Sequence, residues 1–295
     1  MSKKNSRRRA SPPDPRTTEI GGGPAEGVFE IDSGTAELEK DTFHPGAWLL
    51  RINNVQSSHV IVGEPRELAF EYMRWIAAGV ELFVEGRLDP QQLRVTHLGG
   101  GACSMPRYFA ATFPGSRHTV VELDGKLASY VREWFDIPRS PTVKIRVGEA
   151  RAVTETFVDA SRDVMIRDVF AGAVTPEPLT TVEFFRHAHR SLAPGGLYVA
   201  NCGDTRELRG AKAEIAGLAE VFAHVACIAD PPMLKGRRYG NIILMASDAP
   251  FPEALAPEAA RLTRDLLGGA VPAQYKDEAW TRTFAAGAEA RRDGN

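Results

Sequence analysis

Short apolar strands recur at near-even intervals through the middle of this chain, and that recurrence restricts the fold more than any other feature. LRVTHL at 93–98, HTVVEL at 118–123, VKIRV at 143–147 and DVMIRD at 163–168 end about 20 to 25 residues apart, with helical stretches between them. A strand plus a crossover helix occupies that length, whereas a hairpin needs far less, so the spacing predicts parallel strands in a doubly wound α/β sheet. LYVAN at 197–201, VACIA at 225–229 and NIILM at 241–245 extend it, and the short connection through Pro231 and Pro232 predicts a closing hairpin. In such sheets ligands bind beyond the carboxyl ends of the strands, near the point where strand order reverses. The residues that follow each strand are therefore the informative ones.

Upstream, the pattern changes. TAELEK at 35–40, AWLLRIN at 47–53 and VQSSHVIV at 55–62 are separated by His44-Pro45-Gly46 and Asn53-Asn54, which predicts a small antiparallel β domain. Phe70, Met73, Ile76, Ala77 and Val80 then fall at helical spacing and predict a helix over 67–83 that links the two parts. The resulting division is a basic disordered tail over 1–27, a β-stranded domain and linking helix over 28–90, a cofactor-binding domain over 91–250, and a helical extension over 251–295. With 295 residues and 43% hydrophobic content the chain is long enough for a sizeable core. The three scattered cysteines, Cys103, Cys202 and Cys227, suggest neither a disulfide framework nor a zinc site, and a reducing cytoplasm fits them best. No apolar run approaches the roughly 20 residues that cross a bilayer, so no membrane is expected. A net charge of -2 leaves no global basic excess for nucleic acid.

Four successive strand ends carry glycines or acids. Gly99-Gly100-Gly101 follows the first, where missing side chains let the backbone turn sharply and approach a ligand. Glu122 ends the second, where a carboxylate has the two acceptor oxygens that a ribose diol requires, and Asp124 suits a helix N-cap better. Glu149, within Gly148-Glu149-Ala150, follows the third and offers an acceptor to an adenine amino group. Asp168 follows the fourth. A dinucleotide fingerprint asks for a small third residue where Ser104 stands, and gives no use to Glu149 or Asp168. An adenosyl-sulfonium ligand of the S-adenosylmethionine kind uses all four positions, so that cofactor class is preferred while NAD stays open. Blander readings suit other residues. His187 and His189, two apart on a helix, face different ways and make no metal pair; Cys103 reads as a small buried residue; Phe170 reads as packing; Lys235, Arg237 and Arg238 read as a solvated loop.

LGGGACSMPR at 98–107, VVELD at 120–124, GEA at 148–150 and DVMIRD at 163–168 together resemble the motifs of the polyamine aminopropyltransferases, the spermidine synthase family, and especially its actinobacterial spermidine-synthase-like members. LTTVEFF at 179–185 and LAPGGLYVANCGD at 192–204 are similar to its later helix and strand. The resemblance implies a Rossmann-like sheet of the class I methyltransferase type beneath a small N-terminal antiparallel β domain. It implies decarboxylated S-adenosylmethionine, or S-adenosylmethionine, as co-substrate with no metal, a small amine as acceptor, and a homodimer or higher homo-oligomer. Carried over residue by residue, it gives Asp168 as catalytic base. It gives Gln56, Gly99, Gly101, Glu122, Glu149 and Ala150 to the cofactor, Gln56 through the likeness of NVQSSHV at 54–60. Two acids of the family pattern are replaced: Ala102 stands where its glycine motif has an aspartate, and Ala171 where a second acid follows the base. Methyl transfer on the same fold, and binding of the nucleoside without catalysis, are the alternatives.

Overall fold

The structure, a computed structural model, describes residues 24–172 and 174–294, so most of the basic tail predicted over 1–27 lies outside the described residues. Four antiparallel strands come first: β1 (Gly27–Ile31), β2 (Gly34–Lys40), β3 (Ala47–Ile52) and β4 (Val55–Ile61). Asn53 and Asn54, both with positive φ, form the two-residue turn between β3 and β4, a conformation asparagine tolerates better than most residues. β1 carries no alternation strong enough to single it out in the sequence, and its strand state comes from pairing with β2.

The larger unit runs α1 (Glu71–Val84), β5 (Arg94–Leu98), α2 (Ser104–Thr112), β6 (Arg117–Glu122), α3 (Gly125–Trp134), β7 (Val143–Val147), α4 (Ala150–Glu155) and β8 (Arg162–Arg167). It continues through α5 (Val182–Ser191), β9 (Leu192–Asp204), α6 (Arg209–Val221), β10 (His224–Ala229), α7 (Pro231–Leu234) and β11 (Gly240–Ser247). α8 (Pro257–Leu267), β12 (Gln274–Lys276) and α9 (Glu278–Phe284) close the chain. The eight strands lie in the order β7-β6-β5-β8-β9-β11-β10-β12. β5 pairs in parallel with both β6 and β8, so the reversal of strand order falls between β5 and β8. The expected hairpin is present as the antiparallel pair β10 and β11, with β11 inserted beside β9. The segment 251–295, expected as a helical extension, supplies α8 and α9 and also β12, which pairs with β10 and extends the sheet by one strand. Three residues are too few to show a period in sequence, and only the open edge of β10 makes them a strand.

Alternation along the strands divides the core between two faces. Met165, Tyr198, Ala200 and Cys202 meet Phe184, Phe185, Ile215 and Leu218 of α5 and α6 on one side. Val164, Ile166, Leu197 and Val199 meet Ile76, Val80 and Phe83 of α1 and Phe109 of α2 on the other. The N-terminal sheet has no core of its own: Leu38, Trp48, Leu50 and Val60 bury against Ala102, Ala110, Leu127, Val131 and Trp134. Asp32, in the β1–β2 turn, accepts the free N–H groups of Gly125 (2.9 Å) and Lys126 (3.1 Å) at the start of α3, which ties the hairpin to the loop after Glu122.

Candidate active site

The carboxyl ends of β5, β6, β7 and β8 lie side by side and bring the glycine turn, Glu122, Glu149 and Asp168 to one edge of the sheet. Gly99 has φ +89°, and a Cβ there would collide with the carbonyl oxygen of Asp168; the Asp168 N–H in turn donates to the Leu98 carbonyl at 2.9 Å. Its first requirement is thus the close approach of two strand ends at the reversal point. Gly101, with φ +47°, has no room for a Cβ because Ser58 Oγ would lie 2.6 Å from it, and that hydroxyl accepts the Ala102 N–H at 3.0 Å. The N-terminal sheet therefore presses directly on the turn. Gln56 sits two residues before Ser58, at the exposed start of β4.

Glu122 already works within the protein. One carboxylate oxygen accepts from the Gly100 N–H (2.9 Å) and the Gly101 N–H (3.2 Å), and the other from the Asp124 N–H (3.1 Å). Three of about four lone-pair positions are used, so a diol could take the remaining one and would share or displace a glycine N–H for the second. Asp124 caps α3 through the Leu127 N–H at 2.8 Å and is held by Ser33, as a cap reading requires. Glu149 caps α4, accepting from Arg151 (2.9 Å) and Ala152 (2.8 Å), and remains exposed, whereas Ala150 is buried. Leu123 and Val147 leave 64% and 56% of their surface exposed beside these acids, an apolar pair at a polar strand edge that suits the flat face of a nucleobase.

Asp168 is partly buried and gripped from two sides. Asn201 Nδ2 donates to Oδ1 at 2.9 Å from the carboxyl-terminal part of β9, and the Tyr72 hydroxyl donates to Oδ2 at 3.1 Å from the first turn of α1. Burial raises its pKa above the usual carboxylate value, against the two hydrogen bonds and the positive charge of Arg167, which lower it. Tyr72 is raised well above the usual phenol value, first by burial and then by the Asp168 charge, so it remains a donor. Neither Tyr72 nor Asn201 was singled out by the sequence. Their signals were slight: a tyrosine off the apolar stripe of a predicted helix, and a polar residue closing the run LYVAN. Phe170 packs its ring edge against Gly203, where a Cβ would lie 3.0 Å from it and 2.8 Å from the Tyr239 hydroxyl. Ala102 is fully buried, while Ala171 is exposed.

The residues given blander readings have structural partners. His189 pairs with Asp248 at 2.7 Å, Arg238 with Asp230 at 2.7 Å, and burial pushes the Cys103 thiol up to about 12. Among the described residues no group of His, Cys, Asp and Glu side chains could hold a metal, and no helix is long and apolar enough to cross a membrane.

A mostly parallel sheet with an inserted antiparallel strand, a glycine turn after β5 and acids at the ends of β6, β7 and β8 is the Rossmann-like, methyltransferase-type fold. The chain is similar to a probable spermidine synthase from Corynebacterium glutamicum, with 63% identity and a TM-score of 0.91 over 92% of this chain and 98% of that one. It belongs to the spermidine synthase, or polyamine aminopropyltransferase, family. A polyamine aminopropyltransferase from Vibrio vulnificus is 29% identical over 147 residues, 49% of this chain and 47% of that protein, so the chain matches about half the length of this curated relative. Human methyltransferase-like protein 13 in complex with SAH shares the fold at a TM-score of 0.54 and 20% identity over 77% of this chain and 97% of that one. No protein-family model matches the chain.

Proposed function

We propose that this protein transfers the aminopropyl group of decarboxylated S-adenosylmethionine to an amine, with Asp168 as the base. The observation that carries the reading is the carboxylate of Asp168 at the reversal point of the sheet, held by Tyr72 and Asn201 at 3.1 and 2.9 Å and raised in pKa by burial. The co-substrate supplies a carbon made electrophilic by an adjacent sulfonium. An amine attacks that carbon only as the free base, and with a pKa near 10 about one molecule in a thousand is so at neutral pH. As the new N–C bond forms and the C–S bond breaks, the sulfur leaves with the electron pair as a neutral thioether. Asp168, in its ionised form, takes the proton given up by the nitrogen; burial makes that carboxylate more basic, while its hydrogen bonds and Arg167 keep it from being neutralised. Tyr72 and Asn201 fix its orientation. Glu122, Gly99, Gly101, Glu149, Ala150 and Gln56 are proposed to hold the nucleoside and its chain, with Leu123 and Val147 against the base. The proposal extends to a homodimer or higher homo-oligomer, checked by sedimentation equilibrium.

Calorimetric titration with decarboxylated and intact S-adenosylmethionine tests the cofactor half: the decarboxylated form should bind at least tenfold more tightly. Asp168→Asn tests the chemistry. It should keep the melting temperature and cofactor affinity near the parent's and lower turnover at least about 100-fold. A variant that melts several degrees lower yet turns over at the parent rate would make Asp168 structural. Tighter binding of intact S-adenosylmethionine would replace aminopropyl transfer by methyl transfer, a reading favoured by the alanines at positions 102 and 171.

A further inference from the structure

Directly behind Asp168, on the opposite face of β8, lies a buried ion pair. Arg167 is 0% exposed and its Nη2 donates to Glu214 Oε2 on α6 at 2.6 Å, with Glu214 2% exposed. The same Nη2 reaches the Asn201 carbonyl at 3.4 Å, and Asn201 carries the amide that holds Asp168. One guanidinium thus contacts the strand bearing the amide and sits beside the residue bearing the carboxylate. Met165 along β8, and Tyr198, Ala200 and Cys202 along β9, line the same face, with the charges of Asp204 and Arg291 acting on Glu214 from its edge.

Stability does not explain the pair. Taking both charges out of water carries a desolvation penalty that their attraction repays only when the remaining donors are satisfied, and well-packed apolar residues in their place are often as stable or more so. Here Arg167 Nε and Nη1 find no hydrogen-bond acceptor among the described residues. What the pair does supply is a fixed positive charge one residue from a partly buried carboxylate, and a rigid link from α6 to the ends of β8 and β9.

We propose that Arg167 and Glu214 are positioning residues for the site: the pair locks the β8 and β9 ends in register and presents its positive end to Asp168, so that the carboxylate stays ionised and aimed by Asn201. The kinetic side of this inference rests on the reading of Asp168 as the base. The groups facing the pair are Asp168 from the end of β8, the Tyr198 hydroxyl, Cys202 thiol and Asp204 from β9, and Arg291 from the C-terminal segment. Of the two charges it is the Arg167 guanidinium that favours the ionised form of Asp168, so removal of both should make Asp168 harder to ionise.

The double variant Arg167→Met with Glu214→Leu removes both charges together and is expected to fold. The Asp168 carboxyl is followed by 13C NMR in aspartate-labelled protein and assigned by its loss in Asp168→Asn. Its titration midpoint should rise by at least one pH unit, cofactor affinity should stay within about twofold, and kcat should fall at least tenfold with KM little changed. A folded double variant whose midpoint and kcat both match the parent overturns the proposal. If the double variant does not fold, Glu214→Asp, which keeps both charges and shortens one arm, decides: a kcat lowered at least fivefold at parental melting temperature supports positioning, and a parental kcat overturns it. Should the parent itself show no group transfer, the proposed reaction fails, while the NMR midpoint still decides the role of the pair.

Discussion

Glu122 shows how one side chain can serve the protein and a ligand at once. Its carboxylate accepts three backbone N–H groups across the glycine turn and the start of α3. Glu122→Gln keeps the size but turns an NH2 toward one of those donors, so the turn loosens as well as the ligand contact. Cofactor affinity should fall at least tenfold, about 1.4 kcal/mol, in a calorimetric titration; an unchanged dissociation constant in a folded variant removes Glu122 from the site. The two alanines that replace family acids behave differently from each other. Ala102 is fully buried beneath β4, so Ala102→Asp would bury a carboxylate beside Ser58 Oγ, which already accepts the Ala102 N–H. It should cost about 3 kcal/mol and lower the melting temperature by several degrees in a thermal scan. Ala171 is exposed, so Ala171→Asp should leave stability within about 0.5 kcal/mol. Only this second variant asks whether the site is a polyamine pocket lacking an acid. A gain in rate with diamines over monoamines is the expected result if it is.

At the scale of elements, the parallel strands bury a polar relay as well as the apolar core. His97 on β5 and His118 on β6 approach at 3.1 Å, and the Ser116 hydroxyl meets the other nitrogen of His118 at 2.7 Å. Burial lowers His118 to about 4 and His97 well below its ordinary value, so both are neutral in the folded protein near pH 7. A histidine depressed on folding contributes stability that is full above its unfolded pKa, near 6.5, and is lost as pH falls toward the folded value. For His118 the loss across that window is about 3 kcal/mol. Urea midpoints measured from pH 7 to pH 4 should therefore fall more steeply for the parent than for His118→Asn, since carboxyls raised by burial, such as Glu81, titrate in the opposite sense in both. Parallel curves would show that the relay does not set the acid limit. The same scale explains what the sequence could and could not announce. Short apolar-rich runs and their even spacing disclosed β5 through β8 almost to the residue, because the central strands β5, β6 and β8 are largely buried and the crossover helices between them set a regular repeat. β1 escaped because its burial alternates only weakly along GVFEI, and β12 because its three residues become a strand only by pairing with residues 227–229 of β10, well earlier in the chain.

For the whole molecule, the shared core beneath the N-terminal sheet predicts one cooperative unit instead of two. Leu50, 1% exposed, packs among residues of both parts. Leu50→Ala should cost about 2 to 5 kcal/mol and lower a single unfolding transition, read by both circular dichroism and tryptophan fluorescence. Two separated transitions would show that the sheet folds alone. The sequence by itself determined the parallel order of the central strands, the glycine turn and the acids after β6 and β8, because periodicity and strand-end chemistry are local properties of the chain. It also carried the family motifs. Only the tertiary structure decided that Tyr72 and Asn201 close on Asp168, that Ser58 seals the glycine turn, and that Arg167 meets Glu214 behind the site. Those pairs are separated by 33 to 96 residues, and no local pattern records which distant side chain packing will bring within hydrogen-bond reach.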